Sequence, residues 1–183
     1  MDDVVRLSRA ARQVWAKGWY QRGVPDDGGT GTRAWLPLWQ HLHDAAGVAG
    51  QLWDSWLPQV VKTRIGDAAG GDAAGRVLVS LLAGVHDVGK ASPAFAVQVD
   101  VLRDEMVRAG LPMAKALPGR GRLPHGLAGQ VILERWLETE HRWSLAEARS
   151  LSSVVGAHHG IPALLTGPWV ICGPGGRGGG RRG

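Results

Sequence analysis

Histidines carry most of the chemistry that this sequence offers. Seven occur among 183 residues, and two of them are followed directly by an aspartate, at His43-Asp44 and His86-Asp87. Neutral imidazole is the commonest side-chain ligand of transition metals, and a carboxylate that lies between two cations can bridge them. One His-Asp pair is weak evidence by itself, because such pairs also arise by chance. A metal site is predicted only where several of these side chains converge.

Two predicted helices carry the first members of the set. Apolar residues recur at helical spacing over 38–57, which places His41 inside a helix that ends before Pro58. The apolar run 75–88 has His86-Asp87 at its carboxyl end. We interpret this run as a helix, although its valines and leucines are also compatible with a buried strand.

Two further helices present the remaining histidines. His125 follows a proline and begins a predicted helix that runs to about Glu140. Ser144 and Glu147 form a capping box, which starts a helix that should reach the pair 158–159. Because helical bundles build metal sites from side chains on facing helices, these imidazoles are predicted to meet at one point.

Helical patterns also dominate the rest of the chain. Residues 4–20 have helix-like apolar intervals, and Ser92-Pro93 resembles an N-cap with proline at the first position of a helix over 93–108. Residues 66–75 are interpreted as a flexible turn, and no convincing β-pairing pattern is present. We therefore predict an all-α bundle of about five to seven helices over 1–168, followed by a disordered Gly/Arg-rich tail over 169–183.

Composition restricts the setting of the protein. The longest apolar run, 77–85, is too short to cross a bilayer, so no membrane partner is expected. A single cysteine excludes an internal disulfide and suits a reducing cytoplasm. The net charge of +5 and the isoelectric point near 10.1 are compatible with a nucleic-acid partner. The arginine, alanine and glycine bias of a GC-rich genome would give the same charge.

Four blocks of the sequence resemble a known family: "LPLWQHLHDAAGVAGQLWDSWLP", "LLAGVHDVGKASPAF", "LPHGLAGQVIL" and "VVGAHHGIP". Their order and neighbours are similar to the HD superfamily of metal-dependent phosphohydrolases. The closest resemblance is to the HD nuclease domain of type I CRISPR-associated helicase-nucleases. It covers about residues 12–165 and implies an HD-domain helical bundle.

The resemblance implies two divalent metal ions. Carried over residue by residue, it gives two ligand sets that share one bridging carboxylate: His41, His86 and Asp87, and Asp87, His125, His158 and His159. The family's His-Leu-x-Asp-x-Ala pattern aligns His41, and not His43, as the ligand. Histidine-rich ligation of this kind suits Fe, Mn, Co, Ni or Zn better than Mg, which prefers oxygen.

The chain departs from the family pattern near its end. The family places a further aspartate on a later helix to complete the first metal, and no acidic residue follows Glu147 here. We therefore expect a form truncated before that last ligand, with the first set one ligand short. The Gly/Arg-rich tail is interpreted as a shifted reading frame and not as a polyanion-binding segment.

Four other residues have expected roles near the site. Lys90 is expected either to contact the scissile phosphate, acting with Asp87 in catalysis, or to cap the carbonyls that end the His-Asp helix. Asp44 is expected to hydrogen-bond a ligand histidine or a helix end. Arg120 and Arg122 precede His125 and are candidates for contact with a nucleic-acid backbone. His141 is expected to be a solvated histidine outside the site.

The function implied by the resemblance is that of a metal-dependent endonuclease or exonuclease. It would cleave single-stranded DNA in CRISPR interference, an antiviral defence, by two-metal phosphodiester hydrolysis. The implied partners are a CRISPR surveillance complex and a helicase, in the cytoplasm. Two alternatives stay open: a catalytically inactive truncated remnant, and a generic HD phosphohydrolase that acts on nucleotides.

Overall fold

The computed structural model of the chain describes residues 7–18 and 35–160. These contain a two-stranded sheet, β1 (Trp15–Gly18) with β2 (Trp35–Pro37), and eight α-helices: α1 (Arg9–Gln13), α2 (Leu38–Ser55), α3 (Gln59–Ala69), α4 (Asp72–Val85), α5 (Pro93–Ala96), α6 (Asp100–Arg108), α7 (His125–His141) and α8 (Leu145–Gly156). Short 3₁₀ turns span Val88–Ala91 and Arg120–Arg122. The all-α prediction is confirmed, and six of these helices have nine or more residues.

Helices α2 and α4 form one side of the bundle and run antiparallel. Gly84 near the end of α4 lies beside Ala46 of α2, while Gly50 of α2 lies beside Arg76 near the start of α4. Arg76 also donates to the carboxylate of Asp54 at 2.7 and 2.8 Å, which ties the two helices at their far end. This pairing holds the first-histidine helix alongside the helix that leads to His86-Asp87.

Helices α7 and α8 form the opposite side. The predicted capping box is present, because Ser144 accepts from the Glu147 amide and the Glu147 carboxylate accepts from the Ser144 amide. Leu133 and Leu137 of α7 pack with Val155 of α8, and Leu82 and Val85 of α4 join them in one apolar cluster.

A second apolar cluster joins the amino-terminal elements to α5 and α6. Its buried members include Trp15, Leu38, Leu102 and Met106. The 3₁₀ turn Val88–Ala91 packs against α5 and β1 on this side and against α7 on the other. The segment that follows His86-Asp87 therefore lies at the junction of the two clusters.

The small sheet corrects the prediction of a helix over 4–20. Helix α1 stops at Gln13, and Trp15–Gly18 pairs antiparallel with Trp35–Pro37. Trp15 and Ala16 are buried in the amino-terminal cluster. Non-local strand pairing and burial of an aromatic residue therefore outweigh the local helical pattern in this segment.

Three helix boundaries also differ from the predictions. The stretch 66–75 is not one flexible turn, because α3 runs through Ala69 and only Gly70 and Gly71 separate it from α4. Gly70 ends α3 in the left-handed conformation that glycine adopts without strain. The helix expected over 93–108 is two helices, with a break at 97–99 where two β-branched valines flank a glutamine.

Helix α8 ends at Gly156 and does not reach His158. The expected tail over 169–183 and the end of the first domain lie outside the described residues. No single helix in the described ranges is long and apolar enough to cross a membrane. The helix α3 and the segment Asp72–Ala91 would be long and apolar enough only when taken together, and the chain bends by 90° between them.

Candidate metal centre

The six predicted ligands come together from four elements. His41 lies in the first turns of α2, and His86-Asp87 follows the last residue of α4. His125 is the first residue of α7, and the pair 158–159 follows α8. Every ligand histidine therefore lies near an end of a helix or just beyond it.

Asp87 is the centre of this cluster. Its Oδ2 atom lies 2.8 Å from His41 Nε2, 3.3 Å from His86 Nε2 and 2.6 Å from the ammonium of Lys90. The whole residue is only 4% exposed. One oxygen of the carboxylate therefore faces the first predicted ligand set and a cation of the protein itself.

The other oxygen of Asp87 faces the second predicted set. Oδ1 lies 3.1 Å from His125 Nε2 and 3.3 Å from His158 Nε2. His159 Nε2 lies 2.8 Å from His125 Nε2. Neither contact to Oδ1 has the direction of a hydrogen bond, so Oδ1 and His158 Nε2 are both buried without a hydrogen-bond partner.

Backbone carbonyls orient two of the imidazoles. His86 Nδ1 donates to the carbonyl of Ala83 at 2.7 Å, and His158 Nδ1 donates to the carbonyl of Val155 at 2.6 Å. In each ring the donated proton is on Nδ1, so the neutral ring directs the lone pair of Nε2 toward Asp87. Both rings use the carbonyl three residues earlier at a helix end, and the same carbonyl also accepts a hydrogen bond from the backbone amide of that histidine at 3.4–3.5 Å.

The chemistry and spacing of these side chains fit metal binding. The ligand atoms form two groups in which all members lie within 4.8 Å of one another: His41, His86 and Asp87, and Asp87, His125, His158 and His159. A buried polar atom without a partner costs free energy, and a cation would satisfy both of the orphaned atoms, Asp87 Oδ1 and His158 Nε2. Imidazole nitrogen with carboxylate oxygen is the donor set of transition metals.

The charges around Asp87 keep it ionised. Burial by itself would raise the pKa of this carboxyl, but hydrogen bonds from Lys90 and His41 and the positive charge of Lys90 lower the pKa to about 2. At His125, burial lowers the pKa below the ordinary value for imidazole, with Asp87 opposing that shift. Both effects favour the forms that bind metal, which are the carboxylate and the neutral ring.

Gly89 allows the turn to approach the start of α7. A Cβ added at Gly89 would lie 1.8 Å from the His125 carbonyl oxygen and 2.4 Å from the Gly129 amide nitrogen. Both neighbours are backbone atoms that cannot rotate away. The absence of a side chain at this position therefore lets Asp87 come within reach of His125, a role that the residue pattern alone did not predict.

Lys90 does not make the capping contact that was one of its two expected roles. Its ammonium faces Asp87, away from the carbonyls that end α4, and it lies 5.5 Å from the centre of the Phe95 ring. The residue is buried. No phosphate contact is tested by this structure, so that role stays a prediction.

Asp44 does not have the supporting position that was expected for it. Its side chain is 59% exposed and lies 3.7 Å from the even more exposed His43, so both residues face solvent and not the cluster. His141 is also exposed and stacks edge-on against Trp136, outside the site. These placements leave His41 as the member of its segment that reaches Asp87.

The surroundings of the cluster include an open groove and two exposed arginines. A cavity of about 580 Å³ between α4 and α8 is bordered by His86 and His158 and is otherwise lined mostly by apolar side chains. Arg120 and Arg122 lie on the exposed 3₁₀ turn just before His125. Solvent and solutes can therefore approach the imidazoles from the groove.

Comparison with known proteins agrees with this geometry. The family model described as "Cas3, HD domain" matches residues 15–167. The CRISPR-associated nuclease/helicase Cas3 of Streptococcus thermophilus is 32% identical over 70% of this chain and 14% of its own length. The CRISPR-associated endonuclease/helicase Cas3 of Thermus thermophilus is 32% identical over 86% of this chain and 15% of its own length.

A solved structure of a CRISPR-associated protein superposes with a TM-score of 0.65 and 34% identity, over 84% of this chain and 16% of that one. The chain thus spans about one seventh of the length of these relatives. Sequence, fold and the clustered His and Asp residues agree, and the chain belongs to the Cas3 HD-domain family.

Proposed function

We propose that this chain is a metal-dependent nuclease module that hydrolyses phosphodiester bonds of single-stranded DNA. The observation that carries the proposal is the pair of ligand sets that share the buried carboxylate of Asp87. Membership of the Cas3 HD-domain family supports the nuclease class, because the relatives are nucleases by name. The choice of single-stranded DNA comes from the resemblance of the sequence blocks.

The six ligand residues would hold two divalent transition-metal ions, with Fe, Mn, Co, Ni and Zn as the candidates. Such a pair supplies Lewis acidity and an activated water for in-line displacement at phosphorus. Asp87 would contribute one oxygen to each ion. The rings of His86 and His158 are already oriented by backbone carbonyls, so each would present Nε2 to a metal ion without a change of rotamer. No side-chain nucleophile is required by this scheme.

The basic surface beside the cluster supports a nucleic-acid substrate. Arg120 and Arg122 are exposed on the turn that leads into His125, so their guanidinium groups can bind phosphates next to the site. The net charge of +5 would also favour a polyanion. We propose these two arginines as backbone contacts that position the strand.

The biological setting that we propose follows the names of the relatives. Both curated relatives are CRISPR-associated and combine nuclease with helicase. We infer that this module acts in antiviral defence in the cytoplasm, on strands exposed by a CRISPR surveillance complex and a helicase.

Incubation with three substrates tests the proposed activity. The purified chain, loaded with Mn²⁺, should cleave a labelled single-stranded DNA faster than the matched duplex, and should leave nucleoside mono- and triphosphates intact. His86→Ala should abolish the cleavage because it removes a ligand. His141→Ala should retain it, since that exposed ring lies outside the cluster.

Other outcomes would favour the alternatives. Hydrolysis of nucleotides alone would indicate a nucleotide phosphohydrolase. Absence of any cleavage, with metal bound, would indicate an inactive remnant. Equal loss of activity in the His86 and His141 variants would show that the assigned ligands are wrong.

A further inference from the structure

The two oxygens of Asp87 have different partners. Oδ2 is in contact with the ammonium of Lys90 at 2.6 Å and with His41 at 2.8 Å. Oδ1 has no hydrogen-bond partner, and His158 Nε2, which lies 3.3 Å from it, is orphaned as well. The two ligand sets therefore differ before any metal binds. In the set that contains Oδ2, the oxygen already contacts the Lys90 ammonium, and in the set that contains Oδ1, the oxygen has no partner.

Lys90 is committed to this position. The residue is 8% exposed, so its ammonium has lost most of its hydration and needs an anionic partner. Within residues 7–18 and 35–160, Asp87 is the carboxylate that lies within 4 Å of Nζ. The face of the Phe95 ring lies 5.5 Å away and adds a weak attraction. The ion pair between Lys90 and Asp87 is thus a main contact of Oδ2.

We propose that Lys90 sets the order in which the two metal positions fill. The set that contains Oδ1 (Asp87, His125, His158 and His159) binds its ion first, and the set that contains Oδ2 (His41, His86 and Asp87) binds its ion second, with displacement of the Lys90 ammonium. This inference depends on the metal sites of the proposed function. Lys90 is a positioning residue in this scheme, because it acts through Asp87.

This order of binding follows from the positive charge near each oxygen of Asp87 and from the hydrogen-bond partners that each oxygen has. A cation at Oδ1 satisfies two orphaned atoms and displaces no positive charge. A divalent ion at Oδ2 must approach an ammonium that is already in contact with the same oxygen, and like charges repel strongly at short range in a poorly hydrated site. The set that contains Oδ1 also has four ligand residues, whereas the set that contains Oδ2 has three.

Titration of the metal-free chain with Mn²⁺ tests the order. Free Mn²⁺ is followed by electron paramagnetic resonance and the heat of binding by calorimetry. We expect two separated binding steps in the wild type. In Lys90→Met the weaker step should tighten by about tenfold, with the stronger step little changed, because the competing charge is gone. Lys90→Arg keeps the charge and should keep the weak second step.

Ligand variants assign the two steps and do not depend on Lys90 substitution. His41→Ala should remove only the weaker step, and His159→Ala should weaken the stronger one. These two variants test the order of binding even if Lys90→Met is too unstable to titrate. Thermal unfolding followed by circular dichroism would show whether it is.

Several results would overturn the inference. Loss of the stronger step in His41→Ala would reverse the order. A weaker second step in Lys90→Met would show that Lys90 holds Asp87 for the metal and does not compete with it. Two equal steps in every variant would overturn the inference alone, whereas absence of any Mn²⁺ binding would overturn the proposed function too.

Discussion

Asp87 is a buried carboxylate that remains charged because cationic and hydrogen-bonding groups surround it. Burial opposes ionisation, and Lys90 and His41 outweigh it, so that the pKa falls to about 2. The group is therefore ionised at any pH near neutrality. Protonation that releases metal must occur first on the imidazole ligands, which bind only in the neutral form.

We predict that Mn²⁺ affinity falls as the solution is acidified through the range in which imidazole gains a proton, and not in the carboxylate range. The sign follows from competition, since protons and metal bind the same ring nitrogens. His125 should be among the last ligands to be lost, because burial lowers its pKa. Calorimetric titrations across the pH range measure the midpoint, and a midpoint below pH ~4 would contradict this explanation.

Residue types and order were enough to predict which side chains gather around Asp87. The positions of the residues beside these ligands could not be predicted in the same way, because a small rotation around a helix axis decides whether a side chain faces the site or solvent. Asp44 is only three residues from His41, yet it faces solvent with His43. Lys90 turns back to the Oδ2 atom within a 3₁₀ turn, whose presence after α4 had no clear pattern in the sequence.

At the scale of elements, the site depends on how closely the turn Val88–Ala91 approaches α7. Gly89 lies against the backbone of His125 and Gly129, where a Cβ has no room. The position of Asp87 therefore depends on how closely this turn packs against α7. The contact is a requirement of packing and not of metal chemistry.

We predict that Gly89→Ala destabilises the fold by about 3 kcal/mol and reduces Mn²⁺ binding, because the turn must move away from α7. Gly47→Ala is the matched control. Gly47 lies on the exposed side of α2 with no atom within 4 Å of an added Cβ, so alanine should stabilise the helix by about 0.5–1 kcal/mol. Urea unfolding and metal titration of both variants provide the comparison, and a neutral Gly89→Ala would contradict it.

Elements whose patterns are local were predicted well, and those that depend on distant partners were not. The helices α2, α7 and α8 carry their own apolar periodicity and their own start signals. The strand Trp15–Gly18 exists because Trp35–Pro37 pairs with it across a long separation in sequence. Two adjacent glycines mark a sharp junction between α3 and α4, which composition alone could not distinguish from a flexible turn.

At the scale of the whole molecule, the ligands come from distant parts of the sequence: His41 and Asp87 are 46 residues apart, and His125 and His159 are 34 residues apart. Two apolar clusters flank the turn that carries Asp87, one built on β1 and α6 and the other on α7 and α8. The turn packs against members of both. The candidate metal centre is consequently a property of the folded chain, because its side chains meet only when these elements pack together.

The number of metal ions bound per chain, with and without Asp87, tests the central claim most directly. After loading with Mn²⁺ and removal of free metal, mass spectrometry of the elements should find two equivalents in the wild type and in the exposed control Asp44→Ala. Asp87→Ala should hold essentially none, because both ligand sets lose the oxygen that they share. An unchanged stoichiometry in Asp87→Ala would contradict the bridging role of this carboxylate and the account that depends on it.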